Sequence, residues 1–277
     1  MNQGVADMTN TPECRQAGVT RADSRMGLHF ARLTTDETPP SMNQQLPRFH
    51  VVIPCAGSGS RSGLGSPKQY ALLAGEPMVV HTLRAFAEVQ GLGQGVVVVA
   101  PDDQSMAEVF ALYPQTQFAI SNTGGATRAQ SVLAGLLALQ NLGVDGNDWV
   151  LVHDAARCLV TPALIQKLLL ACQHDEVGGL LALPLPDTLK AEAEGRVSST
   201  LPRSGKWLAQ TPQMFRWDSL FGALAQAGDQ VTDEASALEA LGEAPLLVPA
   251  ASFNFKVTYQ EDMTMAEAVL QQRKAGA

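Results

Sequence analysis

The chain has no run of 18 apolar residues, so no membrane-spanning helix is expected. It is also short of cations: 19 Lys and Arg stand against 27 Asp and Glu, giving a net charge of -8 and a pI near 5.1. That balance disfavours the clustered basic surface that a nucleic-acid ligand needs, so any anion site must be local. The four cysteines, Cys14, Cys55, Cys158 and Cys172, include no C-x-x-C pair. They read as reduced thiols or small core residues rather than a disulfide framework, which favours the cytoplasm. The five histidines are dispersed, so no metal knot of His and Cys is expected. Two common nucleotide loops are also missing. Gly57, Gly59 and Gly63 read G-x-G-x-x-x-G with no ribose-binding acid at the right distance, and Lys68 lies between Pro67 and Gln69 rather than in G-K-[ST].

What is present begins with Val51 to Tyr70, VVIPCAGSGSRSGLGSPKQY, an apolar strand running into a glycine-rich loop with two cations, Arg61 and Lys68. Backbone amides and fixed positive charge in one loop are what a nucleotide's phosphates require. Pro67 removes an amide and biases Ser66 away from helix, keeping this loop extended. At 277 residues and 45% hydrophobic, the chain is long enough for a real core. Residues 1–47 are polar, carry Pro12, Pro39, Pro40 and Pro47, and lack helical or strand periodicity, so they are expected to be disordered. Acids offset their arginines, which fits an organelle transit peptide poorly, and one reading is that translation starts at Met42 instead.

From residue 48 on, short apolar runs alternate with amphipathic segments. Strands are predicted at 50–54, 95–100, 117–121, 149–153, 178–183 and 245–248, and helices near 79–89, 104–112, 128–139 and 162–173, the last capped by Thr161 with Pro162 behind it. Runs such as VVVVA imply strands buried on both faces, hence an α/β domain with a mostly parallel sheet flanked by helices. Ligands in such folds bind beyond the carboxyl ends of the strands. The segment 184–207 breaks the alternation and reads as a projecting hairpin arm with its turn at Glu194-Gly195.

Four further segments carry chemistry. HDAAR, His153 to Arg157, follows a strand and offers Asp154 to a metal or a substrate hydroxyl and Arg157 to a phosphate, although the two read equally well as a structural ion pair. GGATRAQSV, Gly124 to Val132, sets glycines and hydroxyls before a helix, suiting a sugar or base, with helix capping as the equal alternative. In VTDEAS, Thr232 is the predicted N-cap, and Asp233 and Glu234 are explained by helix-dipole pairing. FKVT places Lys256 in an apolar strand, and Thr258 with Glu261 forms a predicted capping box.

In series, AGSGSR, PKQY, GGATRAQSV, WVLVHDAAR, DTLK, LAQTPQMF, TDEAS and KVT resemble the 2-C-methyl-D-erythritol 4-phosphate cytidylyltransferases over residues 50–270, about four fifths of the chain. The resemblance implies a Rossmann-like nucleotidyltransferase domain that transfers CMP from CTP to 2-C-methyl-D-erythritol 4-phosphate with Mg²⁺. It implies Arg61, Lys68 and Lys256 as catalytic cations, and Ala56, Gly57, Ser58, Gly59, Gly125, Ser131 and Asp154 around CTP. It further implies Asp154, Arg157, Thr211, Thr232 and Lys256 around the acceptor, joined by Thr188 and Arg203 from the arm of a partner subunit, hence a homodimer. Mg²⁺ would be held mainly by the CTP phosphates. Cys55, Ala126 and Cys158 depart from the family pattern, where Ala, an acid and Pro are usual. A ribitol 5-phosphate cytidylyltransferase shares several of these motifs, and a non-catalytic nucleotide-binding domain is the reading from another class.

Overall fold

The computed structural model describes residues 48–57, 67–228 and 231–276. The chain divides into Met1–Gln44 and Gln45–Ala277, and the described residues all belong to the second unit. The expectations for the N-terminal segment, Met42 included, lie outside the described residues.

Alternating aliphatic residues build the centre of the sheet. β1 (Phe49–Pro54) is followed, after the glycine-rich stretch of the sequence, by a 3-10 turn (Lys68–Tyr70) and the small ribbon β2 (Leu72–Leu73) and β3 (Glu76–Pro77). Then follow α1 (Met78–Ala87), β4 (Leu92–Val98), α2 (Ser105–Leu112), β5 (Phe118–Ser121), α3 (Arg128–Asn141), β6 (Trp149–Val152) and α4 (Pro162–Cys172). The predicted cap on α4 is present, with the Thr161 side chain accepting from Leu164 N. β1 pairs in parallel with β4 and β6, and β4 with β5. Val51 and Ile53 face α1 and α4, whereas Val52, between them, faces α3 and the later helix α5 (Trp217–Ala227). β1, β4 and β6 are thus covered on both sides, and their near-continuous apolar runs have their cause. Close helix-to-sheet contact depends on Gly135: a Cβ there would stand 2.4 Å from Val52 Cγ1 and 2.9 Å from Val98 Cγ2.

The second half holds elements that the sequence pattern did not signal. β7 (Gly178–Pro184) leads into a hairpin of β8 (Leu189–Ala193) and β9 (Arg196–Leu201), then β10 (Trp207–Arg216), α5 (Trp217–Ala227), α6 (Glu234–Glu239), β11 (Leu246–Pro249) and α7 (Gln260–Ala275). The hairpin realises the predicted arm, with Glu194 and Gly195 both at positive φ, as a tight two-residue turn requires. β10 runs antiparallel between β6 and β7, giving the order β11-β7-β10-β6-β1-β4-β5. Pro212 concealed this strand. The pairing with β7 breaks between Ala209 and Gln213, and that irregularity accommodates a residue with no N–H to donate.

Three local expectations are corrected. FKVT is not a strand: residues 254–258 form an irregular extended segment tied down by Val257 N donating to Ala156 O at 2.8 Å. The N-cap of α6 is Asp233, not Thr232, because the Asp233 carboxylate accepts from Ser236 N at 2.9 Å. At α7, Asp262 rather than Glu261 reaches back, accepting from Thr258 N at 2.7 Å and Tyr259 N at 2.9 Å.

Candidate active site

A cavity of about 300 Å³ opens at the carboxyl ends of β1 and β6. Its floor is the exit of β1, where Ala56 and Gly57 are held by the buried Gln69, whose amide donates to Cys55 O at 2.7 Å and Gly57 O at 3.3 Å. Across from it stands the loop before α3. Gly124 allows close approach here, since a Cβ would lie 2.4 Å from Ala56 Cβ and 2.6 Å from Val99 O, a backbone atom that cannot move aside. Ser131 fixes the loop from below: its hydroxyl accepts from Gly125 N at 3.1 Å and donates to Thr127 O at 3.0 Å.

The charges converge from distant parts of the chain. Asp154, just past β6, is buried, with Arg128 Nε donating to Oδ1 at 2.9 Å and Lys256 Nζ to Oδ2 at 2.7 Å. Lys68 Nζ donates to Val257 O at 3.0 Å, which brings the second lysine beside the segment that carries Lys256. Burial pushes the Asp154 carboxyl up, but Arg128 and Lys256 outweigh it and hold it well below the usual carboxylate range. Arg128 also grips the fully buried Glu234 with both terminal nitrogens. Burial opposes the charge on Arg128, and the two carboxylates reverse that, holding the guanidinium above its ordinary value. Burial raises Glu234 against the pull of Arg128.

Behind this wall lies a neutral relay. Asp154 N donates to Thr211 Oγ1 at 3.1 Å, and Thr211 Oγ1 lies 3.1 Å from His153 Nδ1. The other ring nitrogen of His153 meets Arg157 O at 3.2 Å. A carbonyl only accepts, so Nε2 carries the proton, Nδ1 accepts, and the Thr211 hydroxyl donates to it. Burial first of all pushes His153 down to about 3, so the ring is neutral.

Of the residues expected at the site, Ala56, Gly57, Lys68, Gly125, Ser131, Asp154 and Lys256 line this one cavity. Ser58, Gly59 and Arg61 lie outside the described residues. Thr211 is buried and supports Asp154 from behind, and Thr232 is exposed beside α6. The predicted structural pair of Asp154 and Arg157 is replaced by other partners: Arg157 donates to Asn254 O at 2.9 Å and Ala209 O at 3.2 Å. Thr188 and Arg203 are exposed at the base of the arm, where Arg203 donates to Pro186 O. Sequence reasoning passed over Arg128 and Gln69, and read Glu234 only as a partner of the helix dipole. Arg128 did leave a signal, because a cation at a helix N-terminus opposes the helix dipole and so calls for a reason. Of the cysteines, Cys55, Cys158 and Cys172 are buried free thiols, as read from their spacing, and burial raises the Cys158 thiol to about 12.

A mostly parallel sheet flanked by helices, with a glycine-bounded and cation-lined pocket beyond its central strands, is the architecture of an α/β nucleotidyltransferase. Known proteins agree and narrow it. The profile of the family IspD, 2-C-methyl-D-erythritol 4-phosphate cytidylyltransferase, matches residues 49–272. The chain belongs to that family and is an enzyme of the CMP-transferring kind. A 2-C-methyl-D-erythritol 4-phosphate cytidylyltransferase of Paraburkholderia phymatum is 50% identical over 235 residues, covering 83% of this chain and 99% of that one. A bifunctional enzyme IspD/IspF of Albidiferax ferrireducens is 56% identical over 242 residues, 87% of this chain but 57% of that protein, so this chain spans little more than half of that relative. Among solved structures, a 4-diphosphocytidyl-2C-methyl-D-erythritol synthase superposes with a TM-score of 0.72 at 36% identity, covering 81% of this chain and 98% of the other. The Francisella tularensis 2-C-methyl-D-erythritol 4-phosphate cytidylyltransferase gives 0.68 at 32% identity, covering 80% and 99%.

Proposed function

We propose that the protein transfers CMP from CTP to the phosphate of 2-C-methyl-D-erythritol 4-phosphate, giving 4-diphosphocytidyl-2-C-methyl-D-erythritol and pyrophosphate. The observation that carries this reading is the gathering of Lys68, Lys256 and Arg128 with the buried acid Asp154 around a glycine-bounded cavity. An oxygen of the acceptor phosphate attacks the α-phosphorus in line, the bond to the β-phosphate oxygen breaks, and pyrophosphate leaves with the electron pair. No covalent intermediate is needed. Lys68 and Lys256, joined by Arg61, neutralise charge on the transferring group and on the leaving pyrophosphate. Ala56 and Gly57 meet the nucleotide through backbone, Gly125 and Ser131 shape the base and ribose side, and Asp154 lies where the two substrates join. Arg157, Thr211 and Thr232 belong to the acceptor's side.

Mg²⁺ is the proposed cofactor. Both Asp154 oxygens are taken by cations, and among the described residues no group of three or more His, Cys, Asp or Glu gathers to hold a metal. That donor set fits a metal carried in on the CTP phosphates, where it would supply charge neutralisation. The exposed arm, with Thr188 and Arg203, supports a homodimer in which each arm serves the partner's site. Among the described residues no helix is long and apolar enough to cross a membrane, and a cytoplasmic location is proposed with the reduced cysteines as its support. Pyrophosphate release from CTP, measured with methylerythritol phosphate and with ribitol 5-phosphate, tests the reading. Turnover with the first alone is expected, and turnover with ribitol 5-phosphate alone, or with neither, overturns it.

A further inference from the structure

Arg128 opens α3 yet sits where a helix dipole disfavours a cation. Nothing about helix stability accounts for it, so its role must come from its partners. Those partners divide unequally. The terminal nitrogens fork onto Glu234, which is 0% exposed, and only Nε is left for Asp154 Oδ1. A bidentate guanidinium–carboxylate pair is fixed in position and direction. Lys256 takes the other oxygen, Oδ2, through one flexible ammonium whose side chain is 39% exposed. Asp154 thus has one clamped counter-ion and one that is able to leave. Among the described residues no other side chain bonds to either oxygen: Arg157 donates to two carbonyls, Thr211 meets Asp154 through its backbone N–H, and His153 turns to Thr211 and Arg157 O.

We infer that Arg128 and Glu234 form a positioning pair whose task is to keep Asp154 compensated, so that Lys256 is free to move from Asp154 to the substrate phosphates. This rests on the proposed CMP transfer. Without a fixed second cation, moving Lys256 to the phosphates would strand a buried carboxylate, and the lysine would stay where it is. Glu234 matters for a related reason: it holds Arg128 back from following the substrate itself. The pair thereby ties the first residue of α3 to the first residue of α6, 106 positions further along the chain.

Two variants test this with opposite expected signs. Arg128→Met combined with Glu234→Gln removes the clamp without leaving a buried charge unpaired, and such replacements are tolerated by folds. Lys256 becomes the sole partner of Asp154. We expect kcat to fall at least tenfold with KM for CTP within threefold, the pattern of an interaction realised on the way to the transition state. The rate of acetylation of Lys256 in the substrate-free protein, followed by peptide mass spectrometry, should fall at least threefold. Glu234→Gln alone releases Arg128 toward Asp154, so acetylation of Lys256 should quicken. Unchanged Lys256 labelling in both variants, or a double variant with kcat within threefold of the parent, overturns the inference. A drop in melting temperature with normal turnover also overturns it, since the pair would then be merely structural. If the parent protein releases no pyrophosphate with any acceptor, the CMP-transfer reading fails, whereas the labelling result still reports whether the clamp governs Lys256.

Discussion

Replacing Thr211 by Val keeps the shape of the side chain and deletes only its hydroxyl, which isolates the relay between Asp154 and His153. That hydroxyl accepts from Asp154 N and donates to His153 Nδ1, both at 3.1 Å, and all three residues are buried, at 4%, 8% and 0% exposure for Thr211, Asp154 and His153. Val leaves one donor and one acceptor without partners. Each such group costs about 1–3 kcal/mol, so the pair together costs about 2–6 kcal/mol. Thr211→Ser keeps the hydroxyl and loses a methyl, worth about 0.8 kcal/mol. For a domain of this size a loss of 1 kcal/mol lowers the melting temperature by about 2–4 °C. The Val variant should therefore melt about 4–24 °C below the parent and the Ser variant about 2–3 °C below, measured by circular dichroism and checked by urea titration with unchanged m. Polyol phosphate turnover should follow the same order, because the Asp154 backbone is set by this bond. If Thr211→Val is as stable as Thr211→Ser, the relay assigned to that hydroxyl is wrong.

Lys68→Ala should lower turnover by about 100-fold, roughly 3 kcal/mol, the scale of one transition-state stabiliser; a loss under about threefold in steady-state assays would reject its role. Arg203→Ala should weaken the polyol phosphate far more than CTP, and mixed dimers carrying Arg203→Ala in one subunit and Lys68→Ala in the other should keep one working site, whereas complete inactivity argues against a shared arm. For His153 the sign follows from its lowered value of about 3 against 6.5 in the unfolded chain. The unfolded chain takes up a proton that the fold refuses, so this contribution to stability is complete above pH 6.5 and is lost as pH falls toward 3, by at most about 1.4 kcal/mol per pH unit. His50 and His81, also lowered mainly by burial, add to the same slope. His153→Gln should flatten the dependence of urea midpoints between pH 4 and 6, and an unaltered slope would show that His153 is not the buried neutral ring described.

Much of the framework was legible because it is written in local periodicity. Val runs that are apolar on every residue require cover on both faces, and from that the parallel centre β1, β4, β5 and β6 follows. Thr161 before Pro162 marked α4, and the punctuated segment around Glu194-Gly195 marked the arm. β10 escaped because its pairing with β7 breaks where Pro212 stands, and no strand-like alternation runs through that break. Lys256 looked like a strand residue because FKVT is apolar around it, yet its neighbour Val257 is fixed by a single bond to Ala156 O rather than by a ladder.

By itself the sequence determined the kind of layer, the end of the sheet where a ligand is expected, and the motifs that assign the family. These are properties of short windows, carried by residue type and spacing. Only the tertiary structure decided how the charges divide: that Arg128, Asp154, Glu234 and Lys256 form one network, that Arg157 turns to carbonyls instead, and that Asp233 caps α6. The physical reason is range. A buried charge must be compensated by whatever the fold brings within about 3 Å, and partners 26, 102 and 106 residues apart in the chain leave no trace in any local window.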